Sequence, residues 1–226
     1  GSRVATAVHE LHRQNLVHLD IKPSNIMFRE DGTAVLVDFG LSRHDHLPDL
    51  LDEEFTLPMG TGPYMSPEQA ELNNLDVDTR TDVYSLGVVL YELLTGTTPL
   101  DRERLRRAAM QEVLRLIREE DPIPPSTRLS SSDRLPLIAA QRNVDPSALR
   151  NSVIGDLDWI VMKAIEKERA RRYETVSVLA EDIQRFLTDD VVQARQAIAA
   201  VDVQCDAVLL QGPTMPPAKQ VSCQRV

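Results

Sequence analysis

Aromatic side chains are scarce in this sequence. Four Phe, four Tyr and one Trp make up 4 % of 226 residues, so aliphatic side chains have to fill its core. Cysteine is almost lacking. Cys205 and Cys223 are too far apart for a C-x-x-C site, and no His cluster accompanies them. They read as reduced thiols, which points to a cytoplasmic setting. No apolar run approaches the roughly 18 residues that span a bilayer. The longest, "VYSLGVVLYELL" from Val83 to Leu94, has 12 residues and carries Glu92. No secretory leader is visible. Positive charge is in deficit: 25 Lys and Arg stand against 35 Asp and Glu, a formal net charge of -10, which argues against nucleic acid as a partner. The first residue is Gly1 rather than Met, so the sequence reads as a piece of a longer protein or a processed product.

The remaining composition, 42 % apolar and 27 % charged, is that of an ordinary globular protein. The length allows one substantial core, or one domain and a tail. Val4, Val8 and Leu11 share one face of a helix expected over 4–14. "IMF" and "AVLV" flank Asp31-Gly32, a strong turn signal, which predicts a β-hairpin. From Asp38 to Glu68 there is no periodicity and Gly and Pro recur, which predicts a long loop, functional or disordered. Residues 82–95 are apolar nearly all round, as in a helix buried in a core, and Gly96 is a natural stop. Residues 101–119 predict one amphipathic helix with Leu105, Ala109, Val113, Leu116 and Ile117 on its buried face; its arginines read as a solvated face. "DPIPPSTRLSSSDRLP" reads as a surface loop. Two more amphipathic helices are expected in 155–168 and 175–187, the second with Val178, Leu179, Ile183, Phe186 and Leu187 as its stripe. After Asp190 charges thin out, which predicts a tail or linker over 191–226 and a domain over 1–190.

The chemistry gathers around the hairpin. Asp20 and Asn25 precede it and Asp38 follows it, so a tight hairpin draws all three together. Two carboxylates and a carboxamide are hard oxygen ligands suited to Mg²⁺, which takes one or two carboxylates and completes its shell with phosphate oxygens and water. A carboxylate not used by metal can accept a hydroxyl proton. Lys22 can place positive charge near a transferring phosphoryl group. These residues describe a phosphoryl-transfer site. By itself Asp82 reads as a helix N-cap.

"HLDIKPSN", "DFG", "GTGPYMSPEQ", "DVYSLGVVLYELLTG" and "ARRYETV" occur in that order. Together they resemble the larger, C-terminal lobe of protein kinases, in the style of eukaryotic-like bacterial Ser/Thr kinases. The resemblance runs to about Asp190. It implies a mainly α fold, a helical bundle with a small β-hairpin at the catalytic cleft, and a function transferring the γ-phosphoryl of ATP to Ser/Thr hydroxyls of a protein substrate, with Mg²⁺. It implies Asp20 as catalytic base, Lys22 as phosphate contact, and Asn25 and Asp38 as metal ligands. Thr61 would contact the lysine and the base, and with Lys22 it favours Ser/Thr acceptors. Thr56, and less so Ser42, would be phosphate acceptors in the activation segment. Glu68 would pair with Arg172, Asp82 would accept bonds from the catalytic-loop backbone, and His18 and Gly40 would support the site structurally.

Two departures qualify the resemblance. No Gly-rich phosphate loop, strand lysine or partner glutamate precedes Asp20 in these residues. The expectation is a larger lobe without its N-terminal β lobe, holding half a nucleotide site and inactive alone. Leu19 stands where the family commonly has an arginine that receives an activation-segment phosphate. A pseudokinase or scaffold is one alternative. A small-molecule phosphotransferase of kinase-like fold is another, opposed by Lys22 and the "SPE" segment.

Overall fold

Asp78 starts the helix around which the rest is built. The computed structural model describes residues 2–44, 62–71 and 77–195. In it the Asp78 carboxylate accepts the Arg80 amide at 2.8 Å and caps α3 (Thr79–Thr95). Gly96 ends that helix at φ 74, a left-handed cap glycine adopts without a Cβ penalty. Asp82 therefore lies inside the first turn and is not the N-cap. Val83, Val88 and Tyr91 are fully buried on α3. A Cβ at Gly87 would sit 2.7 Å from Ala164 Cβ and from Ile165 Cγ2, so only glycine lets α3 approach α9 (Asp156–Ala164) this closely.

Helix α1 (Ser2–Arg13) lays Val4 and Val8 into the same core and packs along α10 (Val176–Leu187), where Ser177 Oγ and His9 Nδ1 are 2.8 Å apart. The fold is mainly α, as the resemblance implied. Its sheets are two short antiparallel pairs. Strand β1 (Leu16–Val17) pairs with β4 (Arg43–His44), and β2 (Ile26–Phe28) with β3 (Ala34–Leu36), Met27 opposite Val35. The hairpin turns where Asp31-Gly32 predicts: Gly32 has φ 78, and Asp31 Oδ1 accepts the Thr33 amide at 2.8 Å.

Several expectations change. The single helix over 101–119 is two, α4 (Arg102–Arg107) and α5 (Met110–Glu119), joined by extended Ala108 and exposed Ala109. No Gly or Pro marks the break. Leu105, Val113, Leu116 and Ile117 instead close a second core cluster around Met65, Ala70 and Leu100, which sets the bend. The predicted surface loop holds α6 (Pro125–Ser130) and the start of α7 (Leu135–Gln141). Pro125 occupies the first helical turn, where its missing N–H costs nothing, and Leu129 is fully buried. Helix α8 (Pro146–Val153) follows, capped by Asp145. Leu187 is exposed rather than part of the α10 stripe, and buried Asp182 lies in that stripe instead. After α10 the chain stays on the core: Val192 and Ala194 are fully buried. No helix among the described residues is long and apolar enough to cross a membrane. Cys205 and Cys223 lie outside the described residues.

Candidate active site

The segment from His18 to Asn25 has no regular structure beyond the short helical turn Pro23–Asn25, so its backbone needs partners elsewhere. Asp82 supplies them. Its Oδ2 accepts the His18 amide at 2.8 Å and its Oδ1 the Leu19 amide at 2.9 Å, with His12 Nε2 also 2.8 Å from Oδ2. Gln69 Nε2 donates to the Leu19 carbonyl at 2.9 Å. These bonds hold Leu19 at φ 66, a left-handed conformation unfavourable for a leucine. His18 is fully buried; its Nδ1 accepts the Asp20 amide at 3.3 Å and its ring lies 5.0 Å from that of Phe39.

The loop so held delivers a compact polar cluster. Lys22 Nζ lies 2.7 Å from Asp20 Oδ2. Asn25 Nδ2 donates to the same oxygen at 3.0 Å and to the Asp20 carbonyl at 2.9 Å. Two donors on one oxygen fix the carboxylate's orientation. The Asn25 amide nitrogen is committed to Asp20, and its side-chain oxygen accepts the Ser24 hydroxyl at 3.3 Å, with one lone pair left for a cation. The Asn25 backbone carbonyl accepts the Val37 amide at 3.0 Å, which brings Asp38 beside the cluster. Asp38 itself is exposed, sits at φ 65, and makes no direct bond to Asp20 or Asn25. Gly40 donates its amide to Asp38 Oδ1 at 3.4 Å. The Asn25 and Asp38 oxygens are hard ligands of the kind Mg²⁺ accepts when phosphate and water complete its shell. Among the described residues no group of three or more His, Cys, Asp or Glu side chains forms a closed metal cage, so such an ion would rest on few protein ligands. Thr61 and Thr56 lie outside the described residues. Ser42 is described, and its hydroxyl donates to the His18 carbonyl at 3.1 Å.

Glu68 and Arg172, 104 residues apart, form a two-pronged ion pair with both N–O distances 2.7 Å. Both are buried. Arg172 also donates to the carbonyls of Glu166, Arg80 and Lys167 at 2.7, 3.1 and 3.1 Å, and lies over the Tyr84 ring. Thr81 Oγ1 donates to Glu68 at 2.7 Å. Burial raises the Glu68 carboxyl, but the bonds from Arg172 and Thr81 outweigh it and hold the group below the usual carboxylate range.

Sequence reasoning missed two residues that support the site, Gln69 and His12, and a third, Asp182, that holds the chain after α10. Gln69 is the fourth residue of the capping box Ser66–Gln69 that starts α2 (Pro67–Ala70), a pattern legible in "SPEQ". Asp182 interrupts an apolar stripe, which is a readable signal. His12 has no local signal; only tertiary packing brings it to Asp82.

The fold is that of a mainly α, kinase-like lobe. The chain matches the family model described as protein kinase domain over residues 2–154. It is 33 % identical over 200 residues to the serine/threonine-protein kinase PknB of Mycobacterium leprae, covering 88 % of this chain and 27 % of that protein. It is 32 % identical over 194 residues to the probable serine/threonine-protein kinase CE0033 of Corynebacterium efficiens, covering 86 % and 26 %. A third relative, the probable serine/threonine-protein kinase CPE1738 of Clostridium perfringens, is 29 % identical over 189 residues, covering 84 % and 23 %. The chain belongs to the protein kinase domain family. It spans about a quarter of the length of these relatives.

Proposed function

We propose that this chain is the larger catalytic lobe of a Ser/Thr protein kinase, with residues 1–190 as the lobe and 191–226 as a tail or linker whose first residues dock on it. The observation that carries the reading is the Asp20–Lys22–Asn25 cluster, held on a loop that Asp82 anchors. In this reading a substrate Ser or Thr oxygen bonds to the γ-phosphorus of ATP as the bond to ADP breaks, and Asp20 takes the hydroxyl proton. Lys22 sets positive charge beside the transferring group, and Thr61 supports both. Asn25 and Asp38 would hold Mg²⁺, which when bound offsets phosphate charge. His18, Gly40, Asp82, Glu68 and Arg172 keep these groups in place. The relatives' names, all serine/threonine-protein kinases, support a protein Ser/Thr acceptor. The cytoplasmic setting belongs to the same proposal.

The 226 residues by themselves are proposed to transfer phosphate slowly. They contain no Gly-rich phosphate loop or strand lysine, and positioning of the phosphates supplies most of this catalysis. The test joins the segment to a kinase N-terminal lobe and follows radiolabelled phosphate on a generic protein substrate. Asp20→Asn should lower the rate by about 10²–10⁴-fold, the usual worth of a positioned base, with the melting temperature nearly unchanged. Activity retained within about tenfold would reject Asp20 as base.

A further inference from the structure

The connection between α3 and α4 and the turn between α6 and α7 border a groove of about 510 Å³. Three arginines line it, Arg102, Arg128 and Arg134, on a chain whose net charge is -10. Three carboxylates also line it, and each is already engaged. Glu92 accepts Arg102 at 2.6 Å and the Tyr64 hydroxyl. Asp101 caps α4 by accepting the Arg104 amide at 2.8 Å. Glu103 pairs with Arg106 at 2.8 Å and with Arg107 at 3.4 Å.

The arginines are less evenly matched. Arg102 is neutralised by Glu92. Arg128 is half-buried, and only neutral acceptors hold it: Nη2 donates to the Pro99 carbonyl at 2.8 Å and Nε to the Tyr91 hydroxyl at 3.3 Å. Neither Arg128 nor exposed Arg134 makes an ion pair among the described residues. Asp158, on α9, is bonded to the Ser126 amide at 2.9 Å and to its hydroxyl, and Asp133 makes no pair with its neighbour Arg134. A half-buried guanidinium without a counter-charge carries an uncompensated desolvation cost. Its two neutral bonds fix the plane of the group, and Nη1 makes no bond among the described residues, which leaves it free to donate to an incoming anion.

We propose that this groove binds an acidic segment of a partner protein, with Arg128 and Arg134 receiving its carboxylates. The size favours a peptide over a lone anion: the volume falls within the roughly 300–1,000 Å³ of pockets that enclose drug-sized ligands. Neutral partners are also present, since the Thr97 and Ser132 residues line the same groove. The groove adjoins the turn Gly62–Tyr64 through the Tyr64–Glu92 bond, which places it beside the end of the segment that follows Thr61. The inference does not depend on phosphoryl transfer, because binding alone tests it.

The experiment titrates the 226-residue chain into a fluorescent Glu/Asp-rich peptide and reads anisotropy at low and at physiological salt. A Lys-rich peptide of equal length, inorganic phosphate as competitor and anionic vesicles complete the set. The acidic peptide should bind and weaken with salt. Arg134→Glu and Arg128→Gln should each weaken it by about tenfold, with phosphate unable to displace it. Arg134 is exposed, so Arg134→Glu should fold and keeps the test decisive if Arg128→Gln does not. Equal binding by Arg134→Glu, or by the Lys-rich peptide, would overturn the proposal. Full displacement by phosphate would replace it with a small-anion site, and arginine-dependent vesicle binding without peptide binding would replace it with a membrane surface.

Discussion

Asp82 on α3 and Asp182 on α10 are both fully buried, and each holds a piece of chain that has no regular partner of its own. Asp82 accepts the amides of His18 and Leu19, more than sixty residues before it. Asp182 accepts the amides of Gln193 and Ala194 at 2.7 and 2.9 Å, just after α10, together with the Tyr173 hydroxyl at 2.9 Å and Arg185 at 3.0 Å. In both places a side-chain oxygen accepts from backbone amides that would otherwise be buried unsatisfied, at a cost of roughly 1–3 kcal/mol per stranded group. The difference lies in what is held. Asp182 pins a stretch of chain with no chemistry in it. Asp82 pins a loop that carries Asp20 and Lys22 and that contains Leu19 in a left-handed conformation. Strain of about 1–3 kcal/mol per such residue persists only where surrounding contacts over-determine it, and Asp82 with Gln69 supplies those contacts.

Glu68 with Arg172 gives the upper limit for this kind of anchor. Glu68→Ala should cost about 3–5 kcal/mol, because it leaves a buried guanidinium without its charge partner; a denaturant midpoint like that of the parent would mean the pair contributes little. The pair also fixes a pH window. The folded-state Glu68 value lies below its ordinary 4.5, so the unfolded chain takes up this proton first as pH falls. The stabilisation is complete above that ordinary value and is lost as pH drops through the depressed folded one. Glu68→Ala should remove that part of the acid sensitivity.

The two aspartates can then be separated. Asp82→Ala and Asp182→Ala should each destabilise by about 2–3 kcal/mol, by stranding buried amides. In a fusion of this chain to a kinase N-terminal lobe, only Asp82→Ala should also abolish phosphate transfer under conditions where the fold persists. Equal loss of activity in both would mean that the anchored loop is not what Asp82 contributes.

A smaller effect concerns Lys167, next to the same ion pair. Burial pushes its ammonium down to about 8 from 10.5, while it donates to the Ile117 carbonyl at 2.6 Å. Between these values the unfolded chain holds the proton more firmly, so stability should rise with pH over that interval. Lys167→Met should flatten the rise, measured by denaturant melts from pH 7.5 to about 10.

The smallest expected effect is at Thr56. Leu19 is buried with Val17, Val77 and Leu41 in a small apolar cluster, so the site offers packing where an arginine would offer a phosphate partner. Thr56 also has Asp52, Glu53 and Glu54 nearby in sequence, so added phosphate would meet like charge. In the same fusion, Thr56→Ala should keep its activity within about twofold, with or without phosphatase treatment. A loss beyond about tenfold would show a phosphate switch operating despite Leu19.

Much of this protein was readable from sequence because its signals are local. The Asp31-Gly32 turn, the all-round apolar character of 82–95 and the Gly96 stop each depend on residues within a turn or two of one another. Asp20, Lys22 and Asn25 span six positions, so any chain that holds the loop brings them together. Decisions that rest on long-range packing were not readable. No residue type announces the break at Ala108 and Ala109, which follows from the need to close a second core around Met65 and Leu100. "PPSTRLSSS" has the composition of a loop, yet burial of Leu129 makes it helical. The bond between His12 and Asp82 joins residues 70 apart, and the partner of an ionised side chain is chosen by the fold rather than by its neighbours in sequence. Sequence determined which groups could react and where the chain turns; tertiary structure decided which backbone amides each buried charge would hold, because that depends on which segments the core brings within about 3 Å.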